Sequence, residues 1–298
     1  MTTMPMERRS GLATALTTSL FTCAVLAAGA SAARSEFAPY RAPARVAGEE
    51  LPASRPVPKL ESAAEQLRYA GSLKTALRGL DGDGRRDGRL AAVRAYRAVR
   101  EHFPDDVQAG AEGAFRAAEL LRAAGDVPGA LGEFAWTRDH GGESPFRVRA
   151  LLEIGHVHRR AKHAQEALAA YEAVVADASA SKRQKDEASL WVGSVHADNE
   201  RPDEARRAWQ RVADAGDDPL DRIRAFDFLA CAAVAKGDLE AAAGILERCR
   251  DALSEVAAEE TRLGERVRAA LSGMRAHDDL QRAVGDRERA KEKARKES

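Results

Sequence analysis

Three groups of residues in this chain could do chemistry by their type and spacing. Asp81-Gly82-Asp83-Gly84-Arg85-Arg86-Asp87-Gly88 has the outline of a calcium loop. Calcium takes oxygen ligands at alternating positions and a bidentate acid at the twelfth. Arg85 stands at the fifth position and Ala92 at the twelfth, so the stretch reads as a solvated turn. His156, His158 and His163 form a second group, beside Arg159 and Arg160. Two histidines share a helix face when spaced i, i+4. His156 and His158 are two apart and point to different faces, so no metal site is expected. Cys231 and Cys249 form the third group, and they are either a bridge in an oxidising compartment or two small apolar residues in a helical core.

Catalytic patterns are missing. There is no Gly-x-Ser-x-Gly elbow, no phosphate loop ending in Gly-Lys-Ser/Thr, no His-Glu-x-x-His and no Cys-x-x-Cys. No catalytic residue, metal or cofactor is therefore expected. Lys+Arg and Asp+Glu are both 47, which argues against a nucleic-acid binder that must neutralise phosphates. The same balance gives no reason to expect attachment to an anionic membrane surface. Aromatics are 5% of the chain, and Ala, Arg, Glu and Leu dominate, a composition that favours helices.

The first 32 residues read as an export signal. Arg8 and Arg9 precede an apolar stretch from Leu12 to Ala28, and Ala30-Ser31-Ala32 supplies small residues for cleavage. An uncleaved anchor is the competing reading, but the stretch is short for a bilayer span and carries Thr14, Thr17, Thr18, Ser19 and Thr22. Cys23 does not sit in the small-residue context of a lipidated cysteine. A periplasmic or secreted location is expected, with no stable membrane span after cleavage. Residues 33–58 form a lead broken by Pro39, Pro43, Pro52, Pro56 and Pro58.

From Glu61 onward the apolar period is helical, punctuated by turns such as Gly125-Asp126, Arg201-Pro202-Asp203 and Gly237-Asp238. The informative feature is repetition. A small residue is followed four positions later by a bulky one in Ala92/Tyr96, Ala130/Phe134, Ala167/Tyr171, Ala205/Trp209 and Ala242/Leu246. The alanines are 38, 37, 38 and 37 residues apart. Val99, Thr137, Val174, Val212 and Cys249 follow three further on, so each set lies on one helix face. Twelve residues before the last four alanines stand Ala118, Gly155, Gly193 and Ala230, each preceded by an apolar helix. A period in this range with two helices per unit means a solenoid.

Small-x11-Ala-x3-aromatic-x2-apolar, with Gly-Asp before the second helix as in Gly237-Asp238-Leu239-Glu240-Ala241-Ala242, resembles the tetratricopeptide repeat. Gly125-Asp126-Val127-Pro128-Gly129-Ala130 fits as well, and Pro104 and Pro219 sit near the family's closing proline. The resemblance implies an all-α fold, a right-handed solenoid of antiparallel helix pairs. It covers residues 59–253, with four firm repeats and one degenerate one, since Glu61–Leu80 matches weakly. The period is longer than the family's usual unit of about 34 residues. Val256, Leu263, Val267 and Leu271 form one apolar stripe, so 254–273 is expected to be a single capping helix. The charged tail 274–298 has no apolar face and is expected to be frayed.

In proteins of this family the first helix of each pair lines a concave groove. The resemblance carries that role to Glu119, Arg122, His156, Arg159, Arg160, Ser194 and Asp198. His158 and His196 fall where the family usually packs an aromatic between helices. Arginine forks suit carboxylates, so the implied partner is a protein or peptide, acidic or with a free C-terminus. A solvated charged face is the plainer reading of the same arginines. The function implied is an exported scaffold in cell-envelope assembly or maintenance. The alternative is a self-associating envelope protein with no groove ligand, of unknown oligomeric state.

Overall fold

The computed structural model of the protein describes residues 56–297. The expected signal, 1–32, and all but the end of the proline-rich lead lie outside the described residues. Every regular element described is helical. Five antiparallel pairs follow in order: α1 (Ala63–Ala76) with α2 (Gly82–His102), α3 (Val107–Ala123) with α4 (Val127–His140), α5 (Pro145–Arg160) with α6 (Ala164–Ala176), α7 (Lys182–Asp198) with α8 (Pro202–Ala215), and α9 (Pro219–Ala235) with α10 (Leu239–Ala252). Three further helices close the end: α11 (Ser254–Ala258), α12 (Arg262–Ser272) and α13 (Arg275–Glu297). This is a tetratricopeptide-like solenoid.

Local chemistry starts and stops these helices. Asp106, Asp126 and Asp238 accept hydrogen bonds from the N–H groups of Ala109, Gly129 and Ala241, which would otherwise lack partners at a helix start. Ser181 and Gln184 form a reciprocal capping box at α7. Pro145, Pro202 and Pro219 open α5, α8 and α9, where a missing N–H costs nothing.

The turn inside each of the last four pairs is the same. Asp126, His163, Arg201 and Asp238 donate their N–H to the carbonyls of Leu121, His158, His196 and Ala233, at 3.0, 2.9, 2.9 and 3.1 Å. The residue just before each donor has left-handed backbone: Gly125 at φ 81°, Lys162 at 64°, Glu200 at 58° and Gly237 at 77°. This is the six-to-one closure of a helix C-terminus. Two of the four turns use glycine, and two hold a residue with a Cβ in a conformation that disfavours it.

The small and large residues meet as the spacing requires. A Cβ on Gly155 would lie 2.5 Å from Tyr171 Cε1, and one on Gly193 would collide with the Trp209 indole. Tyr171 is fully buried and Trp209 is 4% exposed, its Nε1 donating to Leu190 O at 3.1 Å. Ala92, Ala130, Ala167 and Ala242 are fully buried and Ala205 is 1% exposed. The close approach lets dispersion and apolar burial act along the whole stack.

Three expectations need correction. Asp81–Gly88 is not a turn: from Gly82 it is the exposed first part of α2, with Gly88 packed under Leu77 and Leu80. The expected capping helix 254–273 is broken at Glu259-Glu260, and Thr261 starts α12 by accepting from Gly264 N. The tail is not frayed but forms α13. Met274 and Ala276 are buried, and Ala276 N donates to Asp227 Oδ1 at 2.9 Å. Periodicity missed this docking because a few residues at one end of α13 carry it. Cys231 and Cys249 are not bridged to each other: Cys231 Sγ lies 3.7 Å from Asp279 Oδ2, and Cys249 is buried with Sγ 3.9 Å from Met274 Sδ, where burial pushes its pKa up to about 12.

Candidate functional site: the inner face of α3, α5 and α7

Successive odd-numbered helices, from α1 to α9, contact one another, whereas the even-numbered helices make no comparable backbone contacts among themselves. A stack whose first helices touch and whose second helices splay is concave on the first-helix side. Positions are conveniently counted from the small residues Ala118, Gly155, Gly193 and Ala230. Four residues after each stand Arg122, Arg159, Ala197 and Val234, and two residues before each stand Arg116, Glu153, Trp191 and Phe228.

At two junctions the plus-four residue of one repeat meets the minus-two residue of the next, and at a third both belong to one apolar cluster. Arg122 Nη1 is 3.5 Å from Glu153 Oε2. The Arg159 guanidinium lies over the Trp191 ring, 4.3 Å from its centroid. Ala197 and Phe228 join one apolar cluster with Trp209. The contact thus runs from ion pair to cation–π to apolar along the groove.

His156 sits at the centre. Its Nδ1 is 2.7 Å from the Tyr171 hydroxyl, its ring packs edge-on against Trp191 at 5.4 Å, and its Nε2 is 3.9 Å from Glu187 Oε1. Burial lowers the His156 pKa to about 4, helped by Arg159, Arg160 and Arg122. Burial likewise keeps the Tyr171 phenol protonated, and Arg159 faces its oxygen. A guanidinium can only donate, so the phenol oxygen accepts from Arg159, and the phenol and His156 Nδ1 share one hydrogen bond whose donor is set by the imidazole tautomer. Glu187 is held above the usual carboxylate range by burial and by Asp221. Neither His156 nor Tyr171 is poised to exchange a proton near neutrality, and the described His, Cys, Asp and Glu residues do not gather in threes at metal-binding spacing.

Four of the seven sequence-derived residues come together here: Arg122, His156, Arg159 and Arg160, the last exposed at the end of α5. Glu119 belongs to a separate network, 3.1 Å from Arg116 and 3.8 Å from Lys74. Asp198 is exposed at the end of α7. Ser194 is a correction, since it is 3% exposed and its Oγ donates to Leu190 O at 3.1 Å, so its own helix takes it out of the groove. His158 and His196 are half-buried, and the Nδ1 of each lacks a hydrogen-bond partner.

Sequence reasoning missed Trp191, Glu153, Glu187 and Tyr171's polar end. It missed Arg149 too, whose guanidinium lies over Phe115 at 4.6 Å and Phe146 at 5.2 Å. A signal existed: Trp191 and Phe228 are large aromatics at one repeat position, two residues before the small one. Four polar atoms in this stretch, Arg122 Nε, Glu153 Oε2, Arg159 Nε and Trp191 Nε1, are buried without a hydrogen-bond partner. Such atoms are costly.

No protein-family model matches the sequence, and no characterised relative matches it significantly. Solved structures do. A MamA fragment from Desulfovibrio magneticus RS-1 is 22% identical, with 65% of this chain and 96% of that one covered at a TM-score of 0.47. A protein from Podosopora anserina described as a kinesin light chain with nearly identical TPR-like repeats is 16% identical, covering 67% and 100% at 0.48. BtubC (BKLC) from P. vanneervenii is 14% identical, covering 77% and 90% at 0.46. The fold assignment rests on the helix order, turns and seam described above.

Proposed function

We propose that this chain is an exported scaffold that holds an extended segment of a partner protein in the groove lined by α3, α5 and α7. The segment is acidic or ends in a free carboxylate, and it lies against Arg122, Arg159 and Arg160. The observation that carries this reading is Arg159, which is laid on Trp191 with its Nε unsatisfied and no carboxylate within ion-pair distance among the described residues. A guanidinium fixed on an aromatic face has already lost its rotamer freedom, so pairing with a carboxylate costs less entropy. The exported location follows from the signal-like residues 1–32, and a role in cell-envelope assembly or maintenance follows from that location.

Tryptophan fluorescence titration tests the groove. A Glu-rich peptide with a free C-terminus is expected to bind. The Arg122→Glu/Arg159→Glu/Arg160→Glu variant, checked for helicity, is expected to lose that binding. Equal binding by both proteins would place the partner elsewhere. Terminal sequencing of the protein from an envelope fraction tests export, with Ala33 expected at the new N-terminus.

A further inference from the structure

The groove contains two opposite charges that do not neutralise each other. In the contact between α3 and α5 the charges are matched internally, Arg122 on Glu153. Between α5 and α7 the partner of the arginine is an indole, and the carboxylate stands one turn away. Arg159 rests on Trp191, and Glu187 is four residues before Trp191 on the same helix. Within ion-pair distance of Glu187 the described residues place only His156, at 3.9 Å. The arginines nearest Glu187 have nearer carboxylates: Arg224 has Asp221 at 3.1 Å, and Arg183 has Asp218 at 3.5 Å. Glu187 keeps 40% of its side chain exposed and is open to a ligand.

We infer that the stretch between α5 and α7 takes an extended peptide segment with an acidic and a basic residue two positions apart, the acid on Arg159, which rests on Trp191, and the base on Glu187. The spacing follows from geometry. Four helical residues rise about 6 Å, and side chains on one face of an extended chain are two residues, about 6.6 Å, apart. Opposite charges held apart on a rigid face also reject segments of uniform sign, because the wrong charge at either end faces a like one. The inference rests on the proposed groove function and adds the basic residue and its register.

Capped Gly/Ser nonapeptides with central Asp-Ser-Lys, Lys-Ser-Asp, Asp-Ser-Ser, Asp-Ser-Asp or Ser-Ser-Ser, titrated into the full chain by calorimetry, test it. One Asp/Lys order is expected to bind about tenfold tighter than Asp-Ser-Ser, and Asp-Ser-Asp no tighter. Glu187→Gln is expected to abolish the lysine's advantage and leave Asp-Ser-Ser unchanged. Arg159→Gln is expected to abolish the aspartate's contribution. If neither mixed order exceeds Asp-Ser-Ser, or the advantage survives Glu187→Gln, the inference is overturned while acidic recognition stands. If Asp-Ser-Ser binds no better than Ser-Ser-Ser, the groove does not recognise an internal acidic residue and the inference fails with that part of the groove reading. Both substitutions fall on partly exposed side chains, and circular dichroism checks that each variant is folded.

Discussion

The seam between helices of a pair and the groove along the first helices obey different rules. In the seam the residue types recur with little change: Gly155 faces Tyr171, Gly193 faces Trp209, and the alanines from Ala92 to Ala242 are buried. In the groove the equivalent contacts are an ion pair, a cation–π stack and an apolar cluster. A seam is constrained by volume, since one helix must come close to the next in every repeat. A groove position faces solvent and its neighbour only, so its chemistry is free to differ. One seam residue breaks the pattern. Three places after the alanine, Ala95, Ala170, Ala208 and Ile245 are apolar, but Glu133 takes that place in α4. It is 5% exposed and is held by Arg97 and Arg100 at 2.7 Å each.

The contrast can be broken at the seam first. Trp209→Ala is expected to cost about 4 kcal/mol by leaving a cavity beside Gly193 and removing the bond to Leu190; urea unfolding would measure it. A loss under about 1 kcal/mol would mean that the seam is not the main support.

His156 tests the border between seam and groove, because it stands on the groove helix yet its side chain is only 16% exposed. Its folded pKa, about 4, lies below the ordinary 6.5. Above pH 6.5 the ring is neutral in both states. As pH falls toward 4 the unfolded chain takes a proton that the folded chain refuses, so stability drops by about 3 kcal/mol over that window. His156→Phe should flatten this part of the pH–stability curve, and an unchanged curve would assign the loss to other groups.

Glu133→Ala is expected to cost about 2 kcal/mol, since both arginines lose their partner but keep access to water. Glu133→Met, which restores an apolar side chain, should cost less. The turns give a smaller effect. Lys162→Gly relieves left-handed strain at the expense of chain entropy and is expected to raise stability by about 0.5 kcal/mol. Arg159→Gln should change stability by less than about 0.5 kcal/mol while lowering groove affinity for acidic peptides, the separation of fold from function that the comparison implies.

Much of the fold was legible from spacing alone. The 37–38-residue period marked both helices of the last four pairs, and Gly125-Asp126 and Gly237-Asp238 marked their turns. Lys162 and Glu200 make the same turn with no glycine to announce it, so only backbone bonding reveals them. Asp81–Gly88 misled because three glycines weigh against a helix. The packing of Gly88 beneath Leu77 and Leu80 overrides that propensity.

The candidate site was half legible. Arg122, His156, Arg159 and Arg160 were assigned to one groove by the resemblance to the tetratricopeptide repeat. Ser194 failed because a hydroxyl on a helix can return to its own backbone, which position on a face does not reveal. Trp191 was invisible as a groove residue because a tryptophan in an apolar helix reads as core.

The sequence by itself determined the helical pairs, their number from α3 onward and which face of each meets its partner. Those properties depend on residue volume at fixed intervals within one chain segment. The tertiary structure alone decided which groove charges are matched, with Arg122 answered by Glu153, Arg159 answered by an indole and the Tyr171 hydroxyl but by no carboxylate, and Glu187 facing His156. That difference arises between side chains about one repeat apart, where a shift of one helix along its neighbour chooses the partner.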